Sequence, residues 1–310
     1  MSVSTTLTTP LPTGRQHVLE LEGQRAVVTA VGASLREYTV DGRDVVLPFD
    51  ETAIAPAFSG AVLAPWPNRL RDGVYSYDGS TFEVPLTEHL RHTALHGLVA
   101  TTTFDTTDAD ATSVTLEHVI VPTHGYPWPV RVRLTYALTG AGLHVTAEGT
   151  NLGTTTAPYG IGFHPWLSAD GANLDECTLR LDAATRVTTD ERLLPTGTEP
   201  AAGSYDLREQ ARLAGVDLDD AYVDVLRDAD GLSWTRLSAP DGRTSAVWMD
   251  GSMDTWQVCT GDHVGDVAFR RSGVAAEPMS CIADAFRTGE RLVRLEPGAS
   301  HEVTWGATLL

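Results

Sequence analysis

The sequence predicts an all-β protein, a sandwich or a barrel built from many short strands. Short runs of alternating apolar and polar residues recur along the chain, and Gly, Asp, Asn or Pro residues bound each run. Turns recur about every 8–12 residues, a spacing typical of sandwiches and barrels. Helical patterns are scarce, and no βαβ rhythm, GxGxxG motif or P-loop is present, which argues against a nucleotide-binding α/β fold.

Five runs show the alternation most clearly, and each predicts a strand with one buried face. They are His17–Glu22, Ala26–Ala30, Val130–Leu138, Leu143–Glu148 and Ser245–Met249. Thr and Val are abundant throughout, and both suit a pleated, half-buried surface.

Short links rich in Gly and Asp separate these runs, and such links are the strongest local signal for a hairpin. The links are Asp41–Gly42, Asp72–Gly73, Asp78–Gly79, Gly140–Gly142, Asn151–Gly153 and Asp241–Gly242. Few helices are expected. Asp206–Leu213 predicts a short helix capped by Ser204 or Asp206, and Glu88–Leu95 predicts a further turn.

The chain is long enough for one large β-sandwich domain. Of its 310 residues, 42% are hydrophobic and 20% are charged, so a sizeable core can be buried. Residues 1–12 are rich in Ser, Thr and Pro, and we expect them to be frayed. No linker or internal repeat divides the rest, so residues 13–310 are predicted to form a single domain.

Charge and cysteine content exclude several classes of function. The net charge of −19 would repel a nucleic-acid backbone or an anionic membrane, so neither is expected as a partner. No apolar run approaches the roughly 20 residues that span a bilayer, and no secretory leader is recognisable. The three cysteines include no CxxC pair, which fits neither a disulfide framework nor a zinc site. We therefore predict a cytoplasmic protein.

Polar residues in aromatic or apolar surroundings are the candidates for chemistry. Asn68 and Arg69, His96, His164 and Glu277 each stand in such a block, and Asp219–Asp220 form a weaker fifth cluster. Taken singly, each has a plain structural interpretation. The histidines could be loop residues, Arg69 could pair with a nearby Asp, Glu277 could be an exposed strand end, and Asp219–Asp220 could belong to a solvated acidic face.

Taken together, two histidines and a carboxylate favour general acid/base catalysis near neutral pH. A nucleophile is less favoured because no GxSxG motif is present. No metal is expected because the histidines lack HxH or HExxH spacing. Trp residues could either stack on a sugar ring or pack in the core; they are Trp66, Trp128, Trp166, Trp248 and Trp256.

These blocks, in this order and spacing, resemble the aldose 1-epimerases, also called galactose mutarotases. The resemblance extends from about Val18 to the C-terminus. Its blocks are Ala64–Gly79, Ala94–Gly97, Gly125–Leu138, Glu148–Leu167, Trp256–Asp262 and Ala275–Phe286. It implies a large antiparallel β-supersandwich, a free hexose of the glucose or galactose type as substrate, no cofactor, and a monomer or homodimer.

The resemblance also implies a role for each candidate. Glu277 matches the general base that acts on the anomeric hydroxyl, and His164 matches the general acid that acts on the ring oxygen. His96 matches a histidine that hydrogen-bonds the ring region, and Asn68 and Arg69 match the pair that holds sugar hydroxyls. A further hydroxyl-binding Asp precedes an aromatic residue by three positions, which with Tyr222 favours Asp219 over Asp220.

Opening a hemiacetal requires one proton to leave the anomeric hydroxyl while another reaches the ring oxygen. We therefore expect an acid and a base on opposite sides of the ring that exchange roles on reclosure. A glycosidase would instead need two carboxylates about 5–9.5 Å apart. One carboxylate and one imidazole favour epimerisation.

Two alternatives stay open at this stage. Trp166 and the residues after Glu277, Pro278–Met279, depart from the usual galactose mutarotase pattern, so the identity of the sugar is open. The first alternative is a hexose-6-phosphate 1-epimerase that would use Arg69, Arg71 and Arg91. The second is a non-catalytic sugar-binding protein on the same scaffold.

Overall fold

The structure, a computed structural model, describes residues 10–310. The predicted frayed segment, residues 1–12, lies outside the described residues except for its last three. Strands dominate the described part and form two large antiparallel sheets, which confirms the predicted all-β fold class.

Residues 10–310 contain 27 strands, numbered here in chain order. The first thirteen are β1 (Gln16–Leu21), β2 (Gln24–Thr29), β3 (Leu35–Val40), β4 (Arg43–Val46), β5 (Val62–Leu63), β6 (Arg69–Arg71), β7 (Val74–Tyr77), β8 (Ser80–Glu83), β9 (Thr93–Leu95), β10 (Asp105–Ala109), β11 (Ser113–Ile120), β12 (Val130–Thr139) and β13 (Gly142–Asn151). The others are β14 (Ala157–Tyr159), β15 (Gly162–Phe163), β16 (Trp166–Ser168), β17 (Thr178–Leu181), β18 (Ala183–Thr189), β19 (Pro195–Pro200), β20 (Ala211–Arg212), β21 (Asp219–Val225), β22 (Ser233–Ser238), β23 (Thr244–Met249), β24 (Thr255–Cys259), β25 (Gly273–Met279), β26 (Val293–Leu295) and β27 (Ser300–Leu309).

The larger sheet of the described chain has twelve strands, in the order β1-β2-β3-β4-β16-β25-β24-β21-β18-β19, with β15 joining β25 to β5. The smaller has nine, in the order β10-β11-β12-β13-β27-β23-β22-β17-β20. Two-stranded sheets form from β14 with β26, β6 with β9, and β7 with β8. The two large sheets pack on a shared hydrophobic core, to which residues from Leu19 to Ala307 along the chain contribute side chains. A core of this extent supports the proposal that residues 13–310 form one domain.

The five runs of alternating residues are all strands, so those predictions are confirmed to within two residues at most ends. In β12, for example, Val130, Val132 and Leu134 point into the core while Arg131 and Arg133 point outward. The period of two places every second side chain on the core face, and burial of that face favours this register.

The hairpin predictions hold at most of the Gly-containing links but not at all of them. Asp41–Gly42, Asp78–Gly79 and Gly140–Gly142 each join two strands that pair with each other. Asp241–Gly242 does so too, between β22 and β23. Asn151–Gly153 does not, because β13 before it pairs with β12 and β27 and β14 after it pairs with β26. Asp72–Gly73 does not either, because β6 before it pairs with β9 and β7 after it pairs with β8. At that link Asp72 has a positive φ and its carboxylate accepts a hydrogen bond from Arg192 at 2.8 Å. The link therefore redirects the chain between two small sheets.

The helix predicted over Asp206–Leu213 is absent, and that prediction is wrong. Ala211 and Arg212 form β20, which pairs with β17 and is the edge strand of the smaller sheet. The Asp206 carboxylate binds the guanidinium of Arg208 and does not cap a helix. The predicted Glu88–Leu95 turn is present at His89–His92 and leads into β9. Within residues 10–310 the one α-helix is α1 (Ala285–Thr288), and the short 3-10 turns are Pro56–Phe58, Leu174–Glu176, Gly203–Tyr205 and Val267–Phe269. No helix there has the length and apolar character needed to cross a membrane.

The larger sheet positions the candidate residues. Glu277 lies on β25, a central strand that is buried along its whole length. Gln257 lies directly opposite Glu277 on β24, and Asp219 lies on the next strand, β21. His164 lies between β15 and β16, both of which pair with β25. Side chains that are far apart in sequence therefore converge at one region of the sheet.

Candidate active site

One cleft of about 480 Å³ contains all six of the residues singled out from the sequence, a size suited to a small-molecule ligand. Asn68, Arg69, His96, His164, Asp219 and Glu277 all line it. The lining includes residues of the larger sheet, such as Glu277 and Asp219, and residues of the small sheet of β6 and β9, such as Arg69 and Leu95.

Glu277 and His164 are in direct contact at the base of the cleft. His164 Nε2 lies 3.3 Å from Glu277 Oε1, and the two residues are only 6% and 2% exposed. The interpretation of Glu277 as an exposed strand end is therefore wrong. Glu277 Oε2 is buried with no hydrogen-bond partner among the described residues. His164 and Glu277 are therefore adjacent to each other in the cleft, and their placement on opposite sides of a sugar ring stays a prediction.

Burial sets the protonation of this pair. It raises the pKa of Glu277 well above its usual value; Asp219 adds to this, whereas the positive charge of Arg69 opposes it. Burial also lowers the pKa of His164 to about 4. Both shifts favour the neutral forms, a protonated carboxyl beside a neutral imidazole, so the pair favours holding one transferable proton.

His96 is held as a neutral hydrogen-bond donor. Burial, with smaller effects from His164 and Arg69, lowers its pKa well below the usual value. The backbone N–H of Asn68 donates to His96 Nδ1 at 3.3 Å, so the ring proton resides on Nε2. Gly97 permits this placement, because a Cβ there would lie 2.2 Å from the carbonyl oxygen of Ala64.

Arg69 is held by Glu88, not by a neighbouring Asp as the sequence suggested. Its Nε and Nη2 donate to the two oxygens of Glu88 at 2.8 and 3.1 Å. Asp219 Oδ2 is farther from Nη2, at 3.8 Å. Asn68 Oδ1 accepts the backbone N–H of Arg69 at 2.8 Å, which fixes the orientation of the Asn68 amide. Its Nδ2 donors thereby stay available to a ligand.

The two neighbouring aspartates have different partners. Asp220 is buried and binds the guanidinium of Arg186 at 2.6 and 2.7 Å. Asp219 is partly exposed in the cleft and accepts a hydrogen bond from Gln257 Nε2 at 2.7 Å. Asp219 is therefore the more accessible of the two from the cleft, and the interpretation of both as a solvated face does not hold.

Of the five Trp residues considered, Trp166 alone lines the cleft described here. Its ring stacks on that of His164 with 5.9 Å between centroids, and its Nε1 is buried without a partner in residues 10–310. The others pack elsewhere: Trp256, for instance, is fully buried and donates to Ser233.

Sequence reasoning missed two residues of the cleft network, Glu88 and Gln257. Glu88 is 19 positions from Arg69, and Gln257 is 38 positions from Asp219. Gln257 stands inside the Trp256–Asp262 block, so its placement opposite Glu277 would have followed from a correct pairing of β24 with β25. No strand pairing or motif in the sequence indicated that Glu88 would bind Arg69. No group of His, Cys, Asp or Glu within the described chain is arranged to hold a metal ion.

Comparison with known proteins adds the family. A family model described as aldose 1-epimerase matches residues 16–307. The uncharacterized protein YihR of Escherichia coli K12 is 33% identical over 282 residues, which is 90% of this chain and 88% of that protein.

Solved structures share the fold. The GalM/aldose epimerase homologue from C. elegans aligns with a TM-score of 0.82 at 18% identity, over 96% of this chain and 99% of that one. The galactose 1-epimerase from Lactobacillus acidophilus NCFM aligns with a TM-score of 0.80 at 18% identity, over 94% and 93%. At such identities these structures show a common fold and nothing finer.

Proposed function

The chain belongs to the aldose 1-epimerase family, and we propose that it interconverts the α and β anomers of a free hexose of the glucose or galactose type. The main support is the buried contact between Glu277 and His164 in a cleft of sugar size. This pair holds an acid and a base within reach of two oxygens bonded to the same carbon, the anomeric hydroxyl and the ring oxygen.

Ring opening would proceed through this pair. Glu277 removes the proton of the anomeric hydroxyl while His164 gives a proton to the ring oxygen, so that the C1–O5 bond breaks and an open aldehyde forms. Rotation about C1–C2 presents the other face of the carbonyl. Reclosure reverses both transfers and returns each proton to its donor. Burial favours a proton on Glu277, so this proton must move to His164 before the ring opens. The positive charge of Arg69 and the hydroxyls of the substrate favour this transfer, because they stabilise the Glu277 carboxylate that it leaves behind.

The surrounding groups would hold the ring. His96 Nε2–H, the Asn68 amide and the free N–H groups of Arg69 are donors, and Asp219 is an acceptor. Together they match the alternating donor and acceptor capacity of sugar hydroxyls. Trp166 is only 1% exposed and packs against His164 and Phe269, so it supports the His164 ring and does not itself offer a stacking face to the sugar.

The charge pattern of the cleft supports a free sugar over a sugar phosphate. The three arginines that line the cleft already face carboxylates: Arg69 and Arg91 face Glu88, and Arg186 faces Asp220. Arg71, the remaining member of the set considered for a phosphate, lies outside the lining and pairs with Asp284 and Asp190. A phosphate would have to compete with these carboxylates for its arginines.

Saturation-transfer NMR on equilibrated glucose and galactose tests the proposal directly. We expect the enzyme to accelerate α–β exchange of at least one free aldose well above the buffer rate. Exchange of hexose 6-phosphates in preference to every free aldose would favour the phosphate epimerase. Binding without acceleration of any sugar would favour a non-catalytic sugar-binding protein.

The pH dependence should reveal the buried pair. Only its one-proton form supplies both an acid and a base, so kcat/KM falls when the pair gains a second proton or loses its last one. Burial lowers the pKa of His164 to about 4 and raises the pKa of Glu277. These shifts move the acid limb of the pH profile to lower pH and its basic limb to higher pH. We therefore expect no fall in kcat/KM as the pH is lowered from about 6.5 to about 5, the range in which an ordinary imidazole would gain its proton. Blank-corrected NMR exchange rates check this, and an acid limb with its midpoint near the ordinary imidazole value of about 6.5 would contradict it.

Asn68→Ala should raise KM by about tenfold and lower kcat less, because the amide binds substrate in the ground state and the transition state alike. Asn68 has a φ of 55°, which Ala adopts at a cost. Asn68→Gly is the matched variant, since it removes the same amide without that backbone strain. Steady-state exchange rates over a range of sugar concentrations distinguish the two parameters. Equal loss of kcat and kcat/KM in both variants would contradict a purely positioning role.

A further inference from the structure

The carboxylate of Glu88 is surrounded by donors. Besides the two bonds from Arg69, it accepts Arg91 Nη1 at 2.9 Å and Thr93 Oγ1 at 2.7 Å. Its side chain is only 15% exposed. Burial by itself raises the pKa of Glu88, but the hydrogen bonds and charge of Arg69 outweigh this and leave the pKa below its usual value, so the group stays ionised.

This contact determines where the guanidinium of Arg69 points. Two short bonds to Nε and Nη2 form the side-on fork, which fixes the plane of the group. Asp219 is 3.8 Å away and is the weaker competitor. Nη1 donates to Asn68 Oδ1 at 3.4 Å. The other N–H of Nη1 and the second N–H of Nη2 stay free of Glu88, and Arg69 lines the cleft.

The segment that holds Glu88 is itself anchored. The backbone groups of Glu88 and Thr93 exchange hydrogen bonds of 3.0 and 3.2 Å across the turn. From the far side, Arg192 donates to the carbonyl oxygens of Arg91 at 2.8 Å and His92 at 2.7 Å. Glu88 is therefore a fixed support for Arg69.

We propose that Glu88 is a positioning residue for substrate binding: by holding Arg69 side-on it keeps the remaining guanidinium N–H groups directed at sugar hydroxyls and away from Asp219. This inference rests on the proposed function, because its effect is measured on sugar turnover. When Glu88 is neutralised, Arg69 turns toward Asp219, and two groups that should bind sugar then bind each other.

The test is Glu88→Gln, which keeps the shape of the side chain and removes its charge. We expect KM for the accepted hexose to rise by about tenfold, the scale of one charge-assisted hydrogen bond lost, while kcat changes less than about threefold. Glu148→Gln is the matched control, because Glu148 also accepts from an arginine and a threonine, Arg131 and Thr150, but lies outside the cleft lining. Its KM should equal that of the wild type.

A double-mutant cycle separates positioning from a general loss of structure. In an Arg69→Ala background, Glu88→Gln should raise KM no further, since its effect acts through the guanidinium. Full additivity, or a wild-type KM in Glu88→Gln, overturns the inference. If Glu88→Gln does not fold, Glu88→Asp replaces it. That variant keeps the charge but shortens the side chain, so it should raise KM by a smaller factor, and an unchanged KM overturns the inference. If the wild-type protein accelerates no sugar, it is the proposed function that fails, and the two failures are thereby distinguished.

Discussion

Glu277→Gln is expected to lower kcat for anomer exchange by at least about 10²-fold, the usual effect of removing a general base. The amide has nearly the same shape but cannot take the proton of the anomeric hydroxyl. Loss of the fold would not explain the result. Because the folded-state pKa of Glu277 is raised, ionising this carboxyl in the unfolded chain opposes folding above about pH 4.5, and Gln removes that cost. The variant should therefore unfold at a temperature no lower than the wild type at pH 7.

Asp182→Asn is the matched control for this variant. Asp182 is also a buried carboxylate, bonded to Arg236 at 2.9 Å, and it lies outside the cleft. Its exchange rate should stay at the wild-type level. Saturation-transfer NMR gives the rates, and thermal unfolding by circular dichroism gives the stabilities. A Glu277→Gln rate within about threefold of wild type would rule out this residue as the base.

Much of the fold could be predicted from local patterns, because the side chains of a strand alternate between its two faces and this alternation is visible in consecutive residues. The alternation in Val130–Leu138 located β12 to within one residue. Local reasoning failed where a distant partner decided the conformation. Asp206–Leu213 has a helical composition, yet Ala211 pairs with Leu179 on the edge of the smaller sheet, and that contact is invisible from within the segment.

In the candidate site, too, local sequence predicted the residue types, whereas contacts between distant residues could not be predicted. The histidine and carboxylate types predicted acid/base chemistry, and the structure brings His164 and Glu277 together over a separation of 113 positions. Sequence could not give the contact distance or the burial that moves both pKa values. It could not separate Asp219 from Asp220 by physical argument either. That distinction depends on Arg186, which binds the buried carboxylate of Asp220, whereas the carboxylate of Asp219 is partly exposed.

His164→Asn should also lower kcat by at least about 10²-fold, because the ring oxygen would lose its proton donor and would have to be protonated by water. The Glu277→Gln/His164→Asn double variant should be only slightly slower than either single variant, since the two groups act on one transition state.

The matched control for His164→Asn is His17→Asn. His17 is equally buried at 6% exposure and its Nε2 contacts Thr106 Oγ1 at 3.0 Å, but it lies outside the cleft lining. Its exchange rate should match the wild type. If His164→Asn keeps a wild-type rate while Glu277→Gln loses it, the ring oxygen is protonated by another group. His96 is then the candidate, because its Nε2 carries a proton and its ring centroid lies 5.3 Å from that of His164. Loss of the residual rate in His164→Asn/His96→Asn would identify it, and the assignment of His164 as the acid would have to be withdrawn.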